Sequence, residues 1–364
     1  MAPVVKALRE SPYFNCRVAV TAQHREMLDQ VLELFAIAPD HDLDIMTPNQ
    51  TLFDVTARAL RGLEHVLRQE HPDLVLVHGD TTTTFVGGLA AYYLQIPVGH
   101  VEAGLRTHNK FSPFPEEINR HLTGVLADLH FAPTGDAREN LLREGVDEKN
   151  IYVTGNTVID ALLATVREEY RFADPLLDGL DFRQRRVILM TTHRRENLGT
   201  PLREVYRALR RVVADHPDVE VVFPVHKNPV VREAVQAELG GCDRIHLIEP
   251  LTYEPFINLM QRCYLVMTDS GGLQEEAPSL GKPVLVLRNT TERPEAVRAG
   301  TVKLVGTNYH CVMQSCCELL DDPGAYRAMA EAVNPYGDGK AAARIVQNLA
   351  SYFGLADPAP DFKP

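Results

Sequence analysis

Short apolar runs alternate with longer amphipathic segments along nearly the whole chain. In its first part, the apolar runs that we predict to be strands lie at 17–21, 74–78, 98–101, 129–132 and 151–153. Helix-like stretches, such as 50–70 and 134–144, lie between them. The runs are rich in Val, Leu and Ile rather than alternating in polarity, which is typical of strands that are covered on both faces.

A second series of apolar runs begins near residue 186. Its members lie at 187–190, 219–223, 245–248, 264–267, 284–287 and 302–305. The strand–helix alternation in both series predicts an α/β protein with parallel, doubly wound sheets. A chain of 364 residues is also longer than one hydrophobic core usually spans, which favours two domains.

The domain boundaries follow from a break in this alternation. The segment 169–185 is charged, contains Pro and Gly, and separates the two series, so we interpret it as a linker. We therefore predict an N-terminal domain at 1–168 and a C-terminal domain at 186–338. A last helix-like stretch lies at about 339–354, and the tail at 355–364 is predicted to be disordered.

Composition narrows the possible partners and the compartment. The formal net charge of -12 disfavours binding to nucleic acid and to anionic membranes. No apolar run approaches the roughly 18 residues of a membrane helix, and the first residues lack the apolar core of a signal peptide, so we expect a cytoplasmic protein. No two of the six cysteines form a Cys-x-x-Cys pair, which favours buried thiols over a metal site or disulfides.

Carboxylates follow two of the predicted strands in the first domain. Ligands of doubly wound sheets bind at the carboxyl ends of the strands, and in a two-domain protein the cleft between the domains is the expected site. Asp80 and Glu102 stand at such ends, while Glu116 and Glu117 follow a proline in a helical first turn. Asp80 could instead be a helix N-cap, and the two glutamates could simply complement a helix dipole. Together, however, these acids suggest proton transfer.

Cationic side chains follow two predicted strands of the second domain. His193, Arg194 and Arg195 come after the first strand, and His226 and Lys227 come after the second. A solvated basic turn explains one such cluster equally well. Two clusters at equivalent strand ends favour a phosphate-binding site, because an acidic chain needs local cations to hold an anion.

The segment "TDSGGLQEE" follows a strand and opens a helix. Backbone N–H groups in that context can bind phosphate, although Ser270-Gly271-Gly272 by itself is weak evidence and could be only a turn. Glu276, about one helical turn further on, could bind a ribose diol. The chain contains no G-x-G-x-x-G sequence, so a nicotinamide cofactor is not indicated.

Many segments, in order, resemble one family. They are "TAQHREMLDQ", "HGDTTTTF", "VEAGLRT", "PFPEEINR", "TGNTVID", "THRREN", "SGGLQEEAPSLGKPVLVLR", "TERPE" and "NPYGDGKAAARI". Over nearly its whole length the chain resembles the non-hydrolysing UDP-N-acetylglucosamine 2-epimerases. The resemblance implies a GT-B fold, with two Rossmann-like domains, the active site between them, and a final helix that crosses back onto the first domain.

The resemblance also implies the reaction. Members interconvert UDP-GlcNAc and UDP-ManNAc for surface-polysaccharide synthesis, as homodimers without a cofactor or metal. UDP leaves first, because the C2–H bond lies beside no carbonyl; 2-acetamidoglucal then forms, and UDP adds back with protonation from the opposite face.

The resemblance assigns roles to residues of this chain. Asp80, Glu102 and Glu116 match the family's acid/base carboxylates, and His193 matches a residue near the diphosphate and the glycosidic oxygen. The residues that match UDP-binding positions are Phe256, Ser270, Gly271, Gly272, Glu276 and Arg293.

A second, regulatory UDP-GlcNAc site occurs in some bacterial members. Gln23, Arg194 and His226 match that accessory site. Glu26 and Asn49 stand where some members carry Gln and Arg, so activation by substrate is left open.

One departure concerns the start of the sequence. The family begins with a strand and a loop that carries an Arg and a Lys, and "MAPVVKALRE" matches the segment after that loop. The strand would contribute several buried side chains, each stabilising the fold by about 1.5–3 kcal/mol. We therefore expect the natural product to start upstream of this Met. The alternatives that stay open are a hydrolysing epimerase, a GT-B glycosyltransferase and an inactive truncated homologue.

Overall fold

The structure is a computed structural model that describes residues 1–23, 25–47, 50–194 and 197–364. It divides into a first unit, Met1–Ala161 with Tyr336–Pro364, and a second unit, Leu162–Pro335. Within the described ranges, no helix combines the length and apolar character needed to cross a membrane. Asn49 and Arg195, which the sequence analysis singled out, lie outside the described residues.

The first unit combines a parallel four-stranded sheet with helices. Its strands are β1 Ala19–Val20, β2 His41–Asp42, β3 Val75–His78, β4 Val98–Val101, β5 Leu129–Ala132 and β6 Ile151–Val153. Its helices are α1 Ala2–Glu10, α2 Arg25–Leu34, α3 Leu52–Glu70, α4 Thr82–Tyr93, α5 Glu116–Leu126, α6 Gly135–Arg143 and, at the end of the chain, α16 Ala341–Tyr352. Helix α7, Thr157–Thr165, begins in this unit and ends in the second.

The sheet order β3-β4-β5-β6 places the carboxyl ends of neighbouring strands at one edge. His78 pairs in register with Val101, and Val101 pairs with Phe131. Glu102 follows β4 directly and Asp80 follows β3 after Gly79, so both residues lie at this edge. The predicted run 17–21 behaves differently: only β1 forms, and it pairs with β2 in a separate two-stranded sheet. Strand β2 does not coincide with an apolar run in the sequence, because its two residues are His and Asp.

The chain termini pack together in the first unit. Val4 and Leu8 of α1 share a buried cluster with Ile345 and Leu349 of α16 and with Val101. Helix α16 therefore belongs to the first unit, although 174 residues of the second unit precede Tyr336 in sequence.

The tail at 355–364 is ordered, contrary to the sequence-based expectation. Phe362 donates its backbone N–H to the Val153 carbonyl at 2.7 Å, and the Val153 N–H donates to the Asp361 carboxylate at 2.9 Å. Phe362 is 7% exposed. The tail thus pairs with the edge strand β6, a source of order that its polar, proline-rich composition does not reveal.

The second unit contains a six-stranded parallel sheet. Its strands are β7 Arg186–Thr191, β8 Val219–Pro224, β9 Ile245–Ile248, β10 Leu265–Thr268, β11 Val284–Val286 and β12 Val302–Leu304. Its helices are α8 Pro175–Gly179, α9 Thr200–Asp215, α10 Pro229–Leu239, α11 Tyr253–Arg262, α12 Leu273–Ser279, α13 Pro294–Ala299, α14 Tyr309–Asp321 and α15 Pro323–Ala330. All six predicted runs of this half form strands, which confirms the α/β class.

The order β12-β11-β10-β7-β8-β9 is that of a Rossmann sheet, read from its far edge. The topological switch point lies between β7 and β10, which pair directly, with Thr191 opposite Thr268. Loops that follow these two strands diverge and leave a crevice at their carboxyl ends, where such sheets bind ligands. His193 and Ser270 lie in those loops.

The segment 169–185 is not a separate linker. It falls within the second unit and contains α8, which Asp174 caps by accepting the Leu176 N–H. Phe172 is 6% exposed, and the Arg262 guanidinium lies 5.3 Å from its ring centroid. The charged composition suggested a linker because the few apolar residues that anchor the segment are too widely spaced to form a run.

Candidate functional site

Asp80 is fixed at the end of β3 by side chains of α5. Arg120 donates to Asp80 Oδ2 from Nε at 2.9 Å and from Nη2 at 2.7 Å. Asn119 Nδ2 donates to the Asp80 carbonyl at 2.9 Å. The N-cap of α4 is Thr81, which accepts the Thr84 N–H, so the N-cap interpretation of Asp80 is wrong. The Asp80 carboxylate is therefore held in place near the end of β3, and it does not cap a helix.

Glu102 lies beside Asp80 at the end of β4. Its φ of +64° is a left-handed conformation that is strained for a residue with a side chain, and such strain is concentrated at functional sites. Asn156 Nδ2 donates to Glu102 Oε1 at 3.1 Å, and His78 Nε2 lies 3.8 Å from Oε2. A Cβ added to Gly79 would lie 3.1 Å from Glu102 Oε2, so this carboxylate sits against the turn that carries Asp80.

The histidine beside Glu102 is uncharged at neutral pH. Burial lowers the pKa of His78 well below its usual value. Glu102 Oε2 therefore lies 3.8 Å from a neutral imidazole.

The two adjacent glutamates of α5 differ in their surroundings. Glu116 is the first residue of the helix and is half-buried. Glu117 is 1% exposed and accepts hydrogen bonds from the Thr107 and His108 N–H groups and from Arg120. Burial would raise the pKa of Glu117, but these hydrogen bonds outweigh it and lower the pKa overall. Glu117 is thus a buried structural anion, whereas the side chain of Glu116 is partly exposed to solvent.

In the second unit, Asp269 holds the loop that follows β7 at the topological switch point. This residue, which the sequence analysis missed, is fully buried directly after β10 and accepts the backbone N–H groups of His193 and Arg194. His193 Nδ1 lies 3.0 Å from Asp269 Oδ1. Burial would raise the pKa of Asp269, but the hydrogen bonds from His193 and Arg194 lower it. With Nδ1–H donating to Asp269, Nε2 is the atom through which His193 can exchange a proton with a ligand.

The Ser-Gly-Gly loop lies among cationic side chains. The Ser270 N–H donates to Thr268 Oγ1 at 2.9 Å, which shapes the turn. A Cβ added to Gly271 would meet Arg194 Nη2 at 3.7 Å and the Arg293 guanidinium at 4.0 Å. His226 adds another imidazole nearby, with its ring centroid 6.1 Å from that of His193. The structure thus brings Arg194 and Arg293 to this loop and places the His226 ring beside that of His193.

Glu276 lies at the same loop. A Cβ added to Gly272 would lie 3.9 Å from Glu276 Oε2, and Tyr253 donates its hydroxyl to Oε1 at 3.1 Å. The side chain is buried, and burial raises its pKa to about 7. Phe256 lies three residues after Tyr253 on α11 and is half-buried.

The predicted accessory residues are divided between the units. Gln23 belongs to the first unit, where its Oε1 accepts the Thr83 hydroxyl hydrogen bond at 3.3 Å. Arg194 and His226 belong to the second unit, where Arg194 Nη2 also donates to Glu292 at 3.2 Å. Within each unit, these residues lie close to the sequence-predicted site.

One other cluster has the chemistry of a metal site. Among the residues with described positions, His216, Cys317 and Asp321 place their ligand atoms within 4.8 Å of one another. His216 follows α9 and precedes β8, so this cluster lies at the amino ends of the strands. It is separate from the loops described above.

Comparisons with known proteins agree on one family. A family model described as UDP-N-acetylglucosamine 2-epimerase matches residues 6–350. The UDP-N-acetylglucosamine 2-epimerase of Bacillus subtilis (strain 168) is 56% identical over 361 residues, which cover 99% of this chain and 94% of the relative.

Solved structures show the same similarity. A putative UDP-N-acetylglucosamine 2-epimerase from Listeria monocytogenes matches with a TM-score of 0.94 and 54% identity, covering 100% of this chain and 95% of that one. The UDP-GlcNAc 2-epimerase from Neisseria meningitidis bound to UDP-GlcNAc matches with a TM-score of 0.87 and 49% identity, covering 96% of both chains. These likenesses confirm the predicted GT-B fold class.

Proposed function

Because the chain belongs to the UDP-N-acetylglucosamine 2-epimerase family, we propose that it interconverts UDP-GlcNAc and UDP-ManNAc by eliminating and re-adding UDP. The observation that carries the mechanism is the pair of fixed carboxylates, Asp80 and Glu102, at one sheet edge. Inversion at C2 needs proton removal on one face of the sugar and proton delivery on the other, so at least two acid/base groups are required.

Elimination comes first for a chemical reason. The C2–H bond of the substrate lies beside no carbonyl group, so a carbanion at C2 has no direct stabilisation. Departure of UDP from C1 makes the C2 proton acidic, and removal of that proton by an enzyme carboxylate leaves 2-acetamidoglucal. UDP then adds back to C1 while C2 is protonated from the opposite face. Asp80, Glu102 and Glu116 carry the proton transfers in this proposal.

The second unit holds the nucleotide. Ser270, Gly271 and Gly272 bind the diphosphate together with Arg293, and Glu276 accepts hydrogen bonds from the ribose hydroxyls. His193, oriented by Asp269, donates towards the oxygen between C1 and the diphosphate and stabilises the leaving UDP. Phe256 adds a contact to the nucleotide. The Neisseria relative bound to UDP-GlcNAc supports this choice of substrate.

A deuterium experiment tests the reaction class. The protein is incubated with UDP-GlcNAc in deuterated water, and the products are followed by NMR. UDP-ManNAc that carries deuterium at C2 is the expected product. Free ManNAc with UDP would identify a hydrolysing epimerase, and transfer to an added acceptor with an intact C2–H bond would identify a glycosyltransferase. No turnover would contradict both epimerase reactions.

We also propose that the protein is a cytoplasmic homodimer that serves surface-polysaccharide synthesis. Helix α5 exposes Ile118, Leu122 and Val125, which are 39%, 41% and 84% exposed and lie on one face at i, i+4 and i+7. A second copy of the chain would cover this stripe.

The dimer has a direct test. Val125→Asp is expected to lower the mass measured by light scattering from that of a dimer to that of a monomer. Val230→Asp, at another exposed valine, is the matched control and should leave the mass unchanged. A wild-type monomer, or a dimer that survives Val125→Asp, would contradict the proposed interface.

A further inference from the structure

We propose that Arg120 is a positioning residue that orients Asp80 for the epimerase reaction. The inference rests on the proposed function. Both Arg120–Asp80 contacts, 2.9 Å from Nε and 2.7 Å from Nη2, end on the same oxygen, Oδ2. Because both contacts occupy Oδ2, we assign Oδ1 as the oxygen that exchanges a proton with the substrate. Arg120 thus selects which oxygen of Asp80 reacts.

Arg120 is itself anchored on its opposite side. Its Nη1 donates to Glu117 Oε2 at 3.0 Å, and the side chain of Arg120 is only 11% exposed. Glu117 is held in turn by the N–H groups of Thr107 at 3.0 Å and His108 at 2.9 Å. This chain of contacts runs from backbone to Glu117, to Arg120 and to Asp80. A guanidinium held at both ends cannot swing away from Asp80 without breaking a buried ion pair.

The backbone beneath Asp80 is fixed by the same region. Asn119 donates to the Asp80 carbonyl at 2.9 Å, and His100 Nε2 lies 2.7 Å from the Gly79 carbonyl oxygen. With the backbone fixed in this way, the remaining freedom of Asp80 is rotation of its side chain. Arg120 restricts that rotation, which is the kind of preorganisation that supports catalysis.

Arg120→Lys tests the geometry while keeping the charge. A lysine ammonium is a point donor and cannot reproduce the fork that contacts both Asp80 and Glu117. The expected result is a kcat lower by about 10²-fold, because a small misplacement of a reacting group has effects of that size. KM for UDP-GlcNAc should change by less than about threefold, since the contacts that bind substrate and transition state equally are unchanged. A kcat within about threefold of wild type would overturn the proposal.

A double-substitution cycle separates positioning from simple stabilisation. If Arg120 acts through Asp80, Arg120→Met combined with Asp80→Asn should have the same kcat as Asp80→Asn alone. A merely structural role would multiply the two losses. Arg68→Ala, which removes an exposed arginine paired with Glu64 on α3, is the control and should retain wild-type kcat.

A crystal structure of Arg120→Met gives a readout that does not depend on turnover. The Asp80 carboxylate should leave its wild-type rotamer, and an unmoved carboxylate would overturn the proposal even if the protein had no epimerase activity. An inactive wild-type protein would instead count against the proposed function alone. If Arg120→Met fails to fold, Arg120→Lys supplies the same structural comparison.

Discussion

At the scale of single residues, the site depends on partners that fix the reacting groups. Asp269 holds His193, and Arg120 holds Asp80, in each case through a buried or nearly buried charged group. The sequence predicted His193 and Asp80 from their places after strands. It could not predict Asp269 as the partner of His193, because the two become neighbours only through the pairing of β7 with β10.

Substitution of Asp269 tests the orientation of His193. Asp269→Asn should lower kcat by about 10²-fold or more, because the amide no longer fixes the Nδ1–H tautomer or stabilises an imidazolium. KM should change far less. Asp243→Asn, at an exposed aspartate, is the matched control. Equal kcat values for Asp269→Asn and wild type would show that His193 needs no such partner.

The raised pKa of Glu276 predicts that UDP binding depends on pH. Its carboxylate accepts ribose hydrogen bonds best when ionised, and burial raises its pKa to about 7. The affinity for UDP should therefore be highest above pH 7, and it should fall below pH 7 by up to about tenfold per pH unit. Isothermal titration calorimetry with UDP between pH 6 and pH 8 measures this change in affinity. Glu276→Gln is the reference for the change that comes from protonation of the UDP phosphate itself. Parallel pH profiles for the two proteins would contradict the assignment.

At the scale of elements, the predictable parts are those whose signal is local. The strands of the second unit were predicted because each contains a run of apolar residues, and the four central strands, β7, β8, β10 and β11, are buried on both faces. β1 and β2 have two residues each and polar or exposed positions, so their pairing follows from the surrounding fold. The order of the tail was not predicted for the same reason, since the tail is held by hydrogen bonds to the backbone of β6.

Gly104 shows how closely elements pack beside the site. Its φ is +89°, and an added Cβ would lie 2.2 Å from the Ala137 carbonyl oxygen of α6. Gly104→Ala should lower the free energy of unfolding by about 3 kcal/mol, from backbone strain and overpacking together. Gly145→Ala is the control, because its φ of +86° is similar but its Cβ would meet nothing within 4 Å. Denaturant unfolding should show a smaller decrease in the free energy of unfolding for Gly145→Ala than for Gly104→Ala. Equal decreases would mean that the contact with α6 does not destabilise Gly104→Ala.

At the scale of the whole molecule, each unit supplies one half of the proposed chemistry. The first unit fixes carboxylates for proton transfer, and the second gathers cations around a nucleotide loop. The doubly wound class was predictable from the sequence, and so were the places of Asp80, Glu102 and His193 after strands. The buried groups that orient them, Asp269, Glu117 and Arg120, become apparent only when the strands and helices are assembled.

In the proposed mechanism, the C1–O bond of UDP-GlcNAc breaks and re-forms during epimerisation. Positional isotope exchange tests it directly: the substrate carries ¹⁸O between C1 and the β-phosphorus, and ³¹P NMR follows the label. The label is expected to move from the bridging to the non-bridging β-phosphate positions of the recovered sugar nucleotide as UDP-ManNAc forms. Epimerisation with the label still in the bridge, and with no 2-acetamidoglucal or UDP released on prolonged incubation, would contradict this mechanism, because nothing would then indicate cleavage of the C1–O bond.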